Sequence, residues 1–430
     1  MLLSVLVAAA IFGIDTRQTH AYQIFSFLLC IFVFVIITTL FLRGNYRLKR
    51  DLPEYGTVGQ KMQYRLNIQN LSMKNLNNLL IHDQLAVQRP TFHEFLHVRD
   101  QQDKHRNIFD RIIGYPRLAN LIRNKRGAVI NEITLDQIEA RDSIDKMLEL
   151  IPLRRGYIYF DRTVVARVDP LGLLKKHRKI SNPARLLILP RCYQVPDILL
   201  GNSRKYQPGG LNLSTSVGDS EEFFSLRDYR PGDPVRFIHW RSYARRGEPV
   251  IKEFQDEFFS RMGLVLDTFI NDQPGQLFEE AVSVAASVIL ANKQQDALLD
   301  LLLVNNEAFH MTSGRGLAQA ENMLEVLACV EYSTSENFAA LADLVNVHSH
   351  ETSGFILVLM QWDDARRNLV RQLRILDIPV LVITINDSGT TSLADNDPMA
   401  DRQDLFWTLK TGHIQESLHR KQVSDHANSQ

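Results

Sequence analysis

Cysteine is scarce, with three in 430 residues, and Cys30, Cys192 and Cys329 stand too far apart for a CxxC or zinc-finger spacing. That excludes a disulfide framework, and the three read as buried small hydrophobes of a reducing compartment. Neither sign of charge is in excess: Lys+Arg and Asp+Glu each number 49. No global field therefore favours nucleic acid or another polyanion, and no nucleic-acid partner is expected. There is no glycine-rich phosphate loop, so any nucleotide chemistry would belong to a partner. No serine or cysteine stands in a recognisable nucleophile elbow, and Cys192 lacks a motif.

What is present is enough apolar material for two or three domains with proper cores, since 45% of the chain is hydrophobic. The apolar residues are unevenly spread. Ala21 to Leu42 runs 22 residues without a charge, long enough to cross a bilayer core. Met1 to Ile14 is a shorter apolar stretch, joined to it through the polar link Asp15–His20. Together they predict an N-terminal transmembrane hairpin over residues 1–43. The first arm either spans with a tilt, extends through the link, or lies in the interface. Arg43, Arg47, Lys49 and Arg50 follow the second span, against Arg17 alone in the link. The positive-inside rule then places the remainder in the cytoplasm, against the inner (plasma) membrane of a bacterium, with the lipid bilayer as a partner.

From Gln60 to Asn70 apolar and polar residues alternate, with Met62, Tyr64, Leu66 and Ile68 on one side, the pattern of a half-buried strand. Further strand-like runs at Leu79–Ile81, Ala128–Leu135, Lys146–Ile151, Tyr157–Val168 and Leu186–Leu189 predict a β-sandwich-like domain over about 51–200. An insert at about 90–127 does not read as β. From Lys104 to Arg126 it carries seven Lys or Arg and one acid, interleaved with apolar residues such as Phe109, Ile112 and Leu121. Such a segment either lies on anionic lipid or packs as an amphipathic helical pair on the sandwich.

From Met262 the rhythm changes to alternating strands and helices. Buried strands read at 263–267, 297–304, 354–360 and 379–385, with a last strand at 405–410. Helices read at 276–292, 316–331, 336–345 and 363–376. Near-continuous Val/Leu/Ile strands in a βαβα order predict a parallel, doubly wound sheet over 259–415. The polar tail from 416 to 430 reads as frayed. The predicted fold class is thus α+β multidomain.

The densest chemistry lies between the two domains, in a module at 201–258. Sixteen of the 41 residues from Gly218 to Phe258 are charged, against 23% overall, so some charges must lie beside apolar surface and need partners. Arg230-Pro231-Gly232-Asp233 suits a type II turn, with Gly232 taking the positive φ. Arg236 to Arg246 reads as a short helix ended by Gly247. On it Arg236, Trp240 and Tyr243 or Ala244 share one face, and Arg241 and Arg245 another.

With these residues in place, the chain resembles the domain of unknown function 58 family of membrane-anchored proteins. The resemblance rests on the hairpin, on Arg154-Arg155-Gly156 and Asp169-Pro-Leu-Gly-Leu173, and above all on the block running from Phe223 to Arg245. That block holds Arg227, Asp228, Tyr229, Pro231, Gly232, Asp233, Arg236, His239 and Trp240. It implies that the C-terminal part is von Willebrand factor A-like. It also implies a MoxR-type AAA ATPase as partner, a role in assembly, maturation or stress adaptation, and no enzymatic activity.

Domains of the von Willebrand A type often hold Mg²⁺ on an Asp-x-Ser-x-Ser loop. The matching stretch here is Asp267-Thr268-Phe269-Ile270-Asn271, where Phe269 has no ligating oxygen. Asp267 and Asn271 are the remaining ligand candidates, and no cofactor is the expectation. Two readings of the central module stand side by side. It is either a docking face with Arg and Trp anchors, or an internal network in which Asp228, Asp233 and Glu253 pair with Arg227, Arg236 and Arg245. Paired charge is the cheaper explanation of so many opposite signs. Asp233, Arg236 and His239 offer an acid–base set as the enzymatic alternative. His348, His350 and Glu351 offer a weak set of metal ligands.

Overall fold

The architecture is that of a computed structural model. It describes residues 19–41, 44–86, 90–91, 115–169, 171–196, 198, 223–254, 261–269, 275–292, 298–304, 307–313, 317–333, 338–391 and 393–428. The chain divides into two compact units, Met1–Leu189 and Pro190–Gln430.

The first unit begins with helix α1 (Thr19–Phe41), followed by β1 (Tyr46–Asp51), β2 (Tyr55–Thr57), β3 (Met62–Asn70), β4 (Leu76–Leu85), α2 (Tyr115–Arg126), β5 (Ala128–Ile130), β6 (Ile133–Ile138), β7 (Ser143–Pro152), β8 (Gly156–Val168) and β9 (Lys175–Leu189). The strands form a four-stranded sheet β1-β3-β7-β5 and a five-stranded sheet β2-β9-β8-β4-β6. Every pairing is antiparallel except β2 with β9. Tyr64, Leu66 and Ile68 of β3 and Leu148 and Leu150 of β7 meet Leu79, Ile81, Ile158, Phe160, Leu186 and Ile188 of the other sheet in one core. The period-2 pattern of β3 therefore buries one face of the strand, as a sandwich requires. The region is β-sandwich-like.

The charged centre of this sandwich was not foreseen. Arg50 is buried and clasps the equally buried Asp83, Nε to Oδ2 at 3.0 Å and Nη2 to Oδ1 at 2.9 Å. Tyr64 donates to the same carboxylate at 2.6 Å, Thr163 joins it, and the guanidinium lies 4.4 Å from the centre of the Phe160 ring. Burial, with Asp83 opposite, pushes the Tyr64 hydroxyl far above its ordinary pKa.

The transmembrane hairpin is overturned. No helix among the described residues is long and apolar enough to cross a membrane. The basic run after α1 belongs to the sandwich. Arg47, Lys49 and Arg50 lie on β1, paired with β3, and Arg50 is consumed in the sandwich core. The C-terminal turn of α1 is tied to the same unit, because Lys176 Nζ donates to the Thr39 carbonyl at 3.1 Å. The inner-membrane placement inferred from the hairpin falls with it. Met1–Ile14 lies outside the described residues, as do Arg43 and residues 92–114 of the basic insert.

The second unit carries a hairpin of β10 (Phe223–Asp228) and β11 (Val250–Phe254), joined through a 3₁₀ turn (Val235–Phe237) and helix α3 (Trp240–Arg246). The α/β body follows with β12 (Arg261–Leu266), α4 (Gly275–Asn292), β13 (Leu298–Val304), β14 (Ala308–Ser313), α5 (Leu317–Cys329), α6 (Phe338–His348), β15 (Gly354–Leu359), α7 (Asp364–Ile375), β16 (Val380–Asn386), β17 (Phe406–Lys410) and α8 (Ile414–Asn428). Its six-stranded sheet has the order β14-β13-β12-β15-β16-β17, parallel except for the edge strand β14. That is a doubly wound sheet whose direction of winding reverses between β12 and β15. Strands β12, β13, β15 and β16 are buried along nearly their whole length, which is why they read as continuous apolar runs.

Three local differences from expectation have physical causes. Edge strand β14, of sequence AFHMTS, alternates over only four residues, Phe309 to Thr312, too short a run to stand out, and exists by pairing with β13. The tail read as frayed forms α8, whose Ile414 and Leu418 are buried. Of the cysteines read as buried, Cys30 and Cys329 are exposed and Cys192 is half-buried.

Candidate functional site

The central module folds as a hairpin whose tip is locked by charge. The Arg230-to-Asp233 turn closes through an Asp233 N–H to Arg230 carbonyl bond of 3.0 Å, with Gly232 at φ 110°, a conformation that glycine adopts without a Cβ clash. Arg227 on β10 grips Asp233 with two parallel bonds, Nη1 to Oδ2 at 2.7 Å and Nη2 to Oδ1 at 2.8 Å. The Arg230 N–H adds a third at 2.8 Å. These donors, Arg227 foremost, hold the Asp233 carboxyl well below the usual carboxylate range, at about 2.

Beyond the turn, the single helix read over Arg236–Arg246 is split. Val235–Phe237 is one 3₁₀ turn, then Ile238 is extended and bridges Ile251 of β11. The His239 N–H donates to the Val250 carbonyl at 2.8 Å. Pairing to β11 thus pulls the backbone off the helical path, and α3 starts only at Trp240. It stops at Gly247, at φ 75°, whose N–H donates to the Tyr243 carbonyl.

The sequence-predicted residues fall into two groups. Arg227, Asp233 and the turn residues Pro231 and Gly232 are brought together at the hairpin tip. Asp228 pairs with Val250 across the ladder, Tyr229 donates its N–H to the Pro249 carbonyl, and both lie at the start of the turn. Glu253 is on β11, opposite Ser225, with its side chain outside the described set. The Arg236 guanidinium lies 4.5 Å from the centre of the neighbouring Phe237 ring. His239 Nδ1 meets Ser242 Oγ at 2.6 Å.

Helix α3 has no buried residue. Trp240 is 59% exposed and Tyr243 40%, and their rings meet edge to face at 6.1 Å. Arg241, Arg245 and Arg246 are exposed beside them and make no ion pair among the described residues. An exposed tryptophan thus stands among exposed guanidiniums on α3.

The loop after β12 is built differently. Asp267 is fully buried, and its carboxylate takes Arg366 Nε at 2.8 Å and the Phe269 N–H at 3.0 Å. Arg366, 4% exposed on α7, also pairs with Asp363, donates to the Phe269 carbonyl at 3.3 Å and stacks 4.5 Å from the Phe338 ring centre. Burial pushes the Asp267 carboxyl up, with the Arg366 guanidinium pulling against it. Thr268 spends its hydroxyl on the Val304 carbonyl. The carboxylate proposed as a metal ligand therefore already faces a cation, supplied by the chain itself. Asn271 lies outside the described residues. Sequence reading missed Arg366; the only local signal was Asp363 capping a helix with an arginine three residues on, where Asp363 Oδ1 accepts the Arg366 N–H.

His348 stands against His310, ring centres 4.0 Å apart, and 3.9 Å from Glu351. Among the described residues no group of His, Cys, Asp and Glu could hold a metal ion.

Comparison with known proteins extends the picture unevenly. Residues 225–400 match the family model described as Protein of unknown function DUF58, a span that opens within β10. The Uncharacterized protein YeaD of Bacillus subtilis is 26% identical over 225 residues, covering 51% of this chain and 53% of that protein. The chain thus spans about half the length of the curated relative it matches. Among solved structures, a CARDB domain from Pyrococcus furiosus is 8% identical and covers 34% of this chain and 93% of its own, with a TM-score of 0.18. A cohesin module from Clostridium perfringens is 10% identical and covers 34% of this chain and 96% of its own, with a TM-score of 0.17. Neither likeness bears on fold or function at those scores.

Proposed function

We propose that this protein is a non-enzymatic interaction protein, an adaptor or co-chaperone for a MoxR-type AAA ATPase, and that α3 presents its docking face. One observation carries the reading: Trp240, Tyr243, Arg241, Arg245 and Arg246 are exposed together on a helix that buries nothing of its own. The hairpin below it is stiffened by Arg227 and Asp233, so the face is held in shape before a partner arrives. The choice of ATPase rests on the DUF58 match over 225–400 and on what resemblance to that family implies. We also take the doubly wound body to be a von Willebrand A-like domain that has exchanged its metal for Arg366 and needs no cofactor.

The test is affinity purification of the tagged chain from its own cells, with and without ATP. The expected result is a MoxR-type ATPase that co-purifies with the wild type and is lost from a folded Arg241→Glu variant. Absence of any ATPase under both nucleotide conditions would falsify the partnership. Retention by both Arg241→Glu and Trp240→Ala would move the docking face elsewhere.

A further inference from the structure

A cleft of about 600 Å³ opens where β16 and β17 end, walled by Ser388, Thr390, Lys410, Ser417, Arg420 and Lys421. That volume falls within the roughly 300–1,000 Å³ of small-molecule sites. Its place is also apt, since ligands of open parallel sheets bind beyond the carboxyl ends of the strands. None of these residues takes part in the α3 face or the Asp267 loop.

Chemically the cleft is lopsided. Lys410, Arg420 and Lys421 bring three fixed positive charges, and His413 a fourth on protonation. The single lining carboxylate, Glu416, is turned to His413, Oε2 to Nδ1 at 3.1 Å. Lys421 donates to the Phe406 carbonyl at 3.1 Å. Lys410 and Arg420 make no ion pair among the described residues. Hydroxyls from Ser388, Thr390, Thr408 and Ser417 are interspersed with these cations. A set of point charges, one planar guanidinium and several hydroxyls matches an anion with three acceptor oxygens and close to two charges.

The walls are fixed in advance. Asn386 organises the loop after β16: its Oδ1 accepts from the Gly389 N–H at 2.6 Å and from Ser388 Oγ at 3.2 Å, and its Nδ2 donates to Thr391 Oγ1 at 2.9 Å. Gly389, at φ +71°, lets this loop lie on Lys410; a Cβ there would come within 2.8 Å of the lysine Cβ. On the other side the Gly412 N–H donates to the buried Glu280 carboxylate at 2.9 Å, which fixes the turn that carries His413.

We propose that this cleft binds a small soluble phosphate monoester, with Lys410, Arg420 and Lys421 on the phosphoryl group and the Thr390 and Thr408 hydroxyls completing its shell. Titration of the purified full chain by calorimetry, using inorganic phosphate and ribose 5-phosphate against matched chloride, tests it. The expected result is saturable binding of both, with ribose 5-phosphate tighter. The exposed pair Lys410→Gln/Arg420→Gln should lose affinity about tenfold or more while its circular dichroism and unfolding midpoint without phosphate stay unchanged. A second variant, Gly389→Ala, displaces the loop without removing charge and should weaken ribose 5-phosphate more than inorganic phosphate. The proposal is overturned if the wild type shows no saturable binding at millimolar phosphate. Equal binding by the charge variant overturns it too.

Discussion

Replacing Arg366 by methionine isolates the charge at the centre of the α/β body. The variant keeps most of the side chain's apolar length but takes from Asp267 the guanidinium that pairs with it. Backbone N–H groups still hold the carboxylate, from Phe269 at 3.0 Å and from Met360. Removing one partner of a buried pair costs about 3–5 kcal/mol, because the other is left as an uncompensated charge. In a domain of about 150–250 residues each kcal/mol moves the melting point by about 2–4 °C, so the expected drop is about 6–20 °C. The cost should also depend on pH. Burial already raises the Asp267 carboxyl, and without the guanidinium it rises further, well above its unfolded value of about 3.9. A raised carboxyl destabilises the fold above its folded pKa, and the penalty shrinks as pH falls and the proton is taken up. Relative to wild type, Arg366→Met should therefore be worst near neutrality and recover on acidification. Asp267→Asn, which removes the charge and keeps the shape, should cost less, and the double variant Arg366→Met/Asp267→Asn less than the two costs summed. Urea denaturation of the four proteins across the pH range measures all of this. A single Arg366→Met variant within about 1 kcal/mol of wild type, or a cost flat with pH, would refute the reasoning.

Three further outcomes follow from other charge arrangements. Asp83→Ala strands the buried Arg50 in the sandwich and should cost about 3–5 kcal/mol in denaturant unfolding of that unit; a loss below about 1 kcal/mol contradicts the pairing. The Asp233 carboxyl should titrate at about 2 by NMR, so the contact with Arg227 contributes above the ordinary carboxylate range and is lost only as pH falls through that value; an ordinary titration would mean the turn is not locked. Burial first, then the neighbouring His310, pushes the His348 imidazole down. The unfolded chain then binds more protons across the histidine range, and stability should fall as pH drops from neutral through it. His348→Gln should flatten that fall in a melting series, and an unchanged slope argues against it.

Sequence periodicity carried most of the fold because the decisive signals were local. The alternation of Met62 to Ile68 and the continuous runs 263–267, 354–360 and 379–385 each report one strand's burial, and burial is what sets the pattern. Turn chemistry was equally legible, with Gly232 and Gly247 both at positive φ. The N-terminal run shows the limit of the same logic. A basic flank was read from Arg47, Lys49 and Arg50 by proximity to an apolar stretch, yet Arg50 belongs to Asp83, 33 residues away. No linear rule finds such a partner. Arg366 and Asp267 are 99 residues apart, and the cleft walls come from two strand ends and a tail helix whose polar sequence looked unstructured.

The winding of the sheet explains why these distant pairs fall where they do. Between β12 and β15 the connections diverge to opposite sides, which leaves a crevice at the carboxyl ends of both strands. Asp267 follows β12, and Asp363 and Arg366 follow β15, so the two segments meet across that crevice. Such a position ordinarily admits a ligand; here Arg366 lies in it, where it satisfies two carboxylates, caps the Phe269 carbonyl and covers the Phe338 ring. A buried, internally paired ion set resists exchange with solvent, because opening it exposes each charge without its partner. The neighbouring strand ends obey the opposite logic. At β16 and β17 the cations Lys410 and Arg420 have no ion-pair partner among the described residues, and the walls are held by Asn386 and Glu280 rather than by each other. Along one edge of one sheet, the charge at the switch point is neutralised within the chain, while two strands away Lys410 and Arg420 have no ion-pair partner among the described residues. Recognition on that edge should therefore follow those two cations.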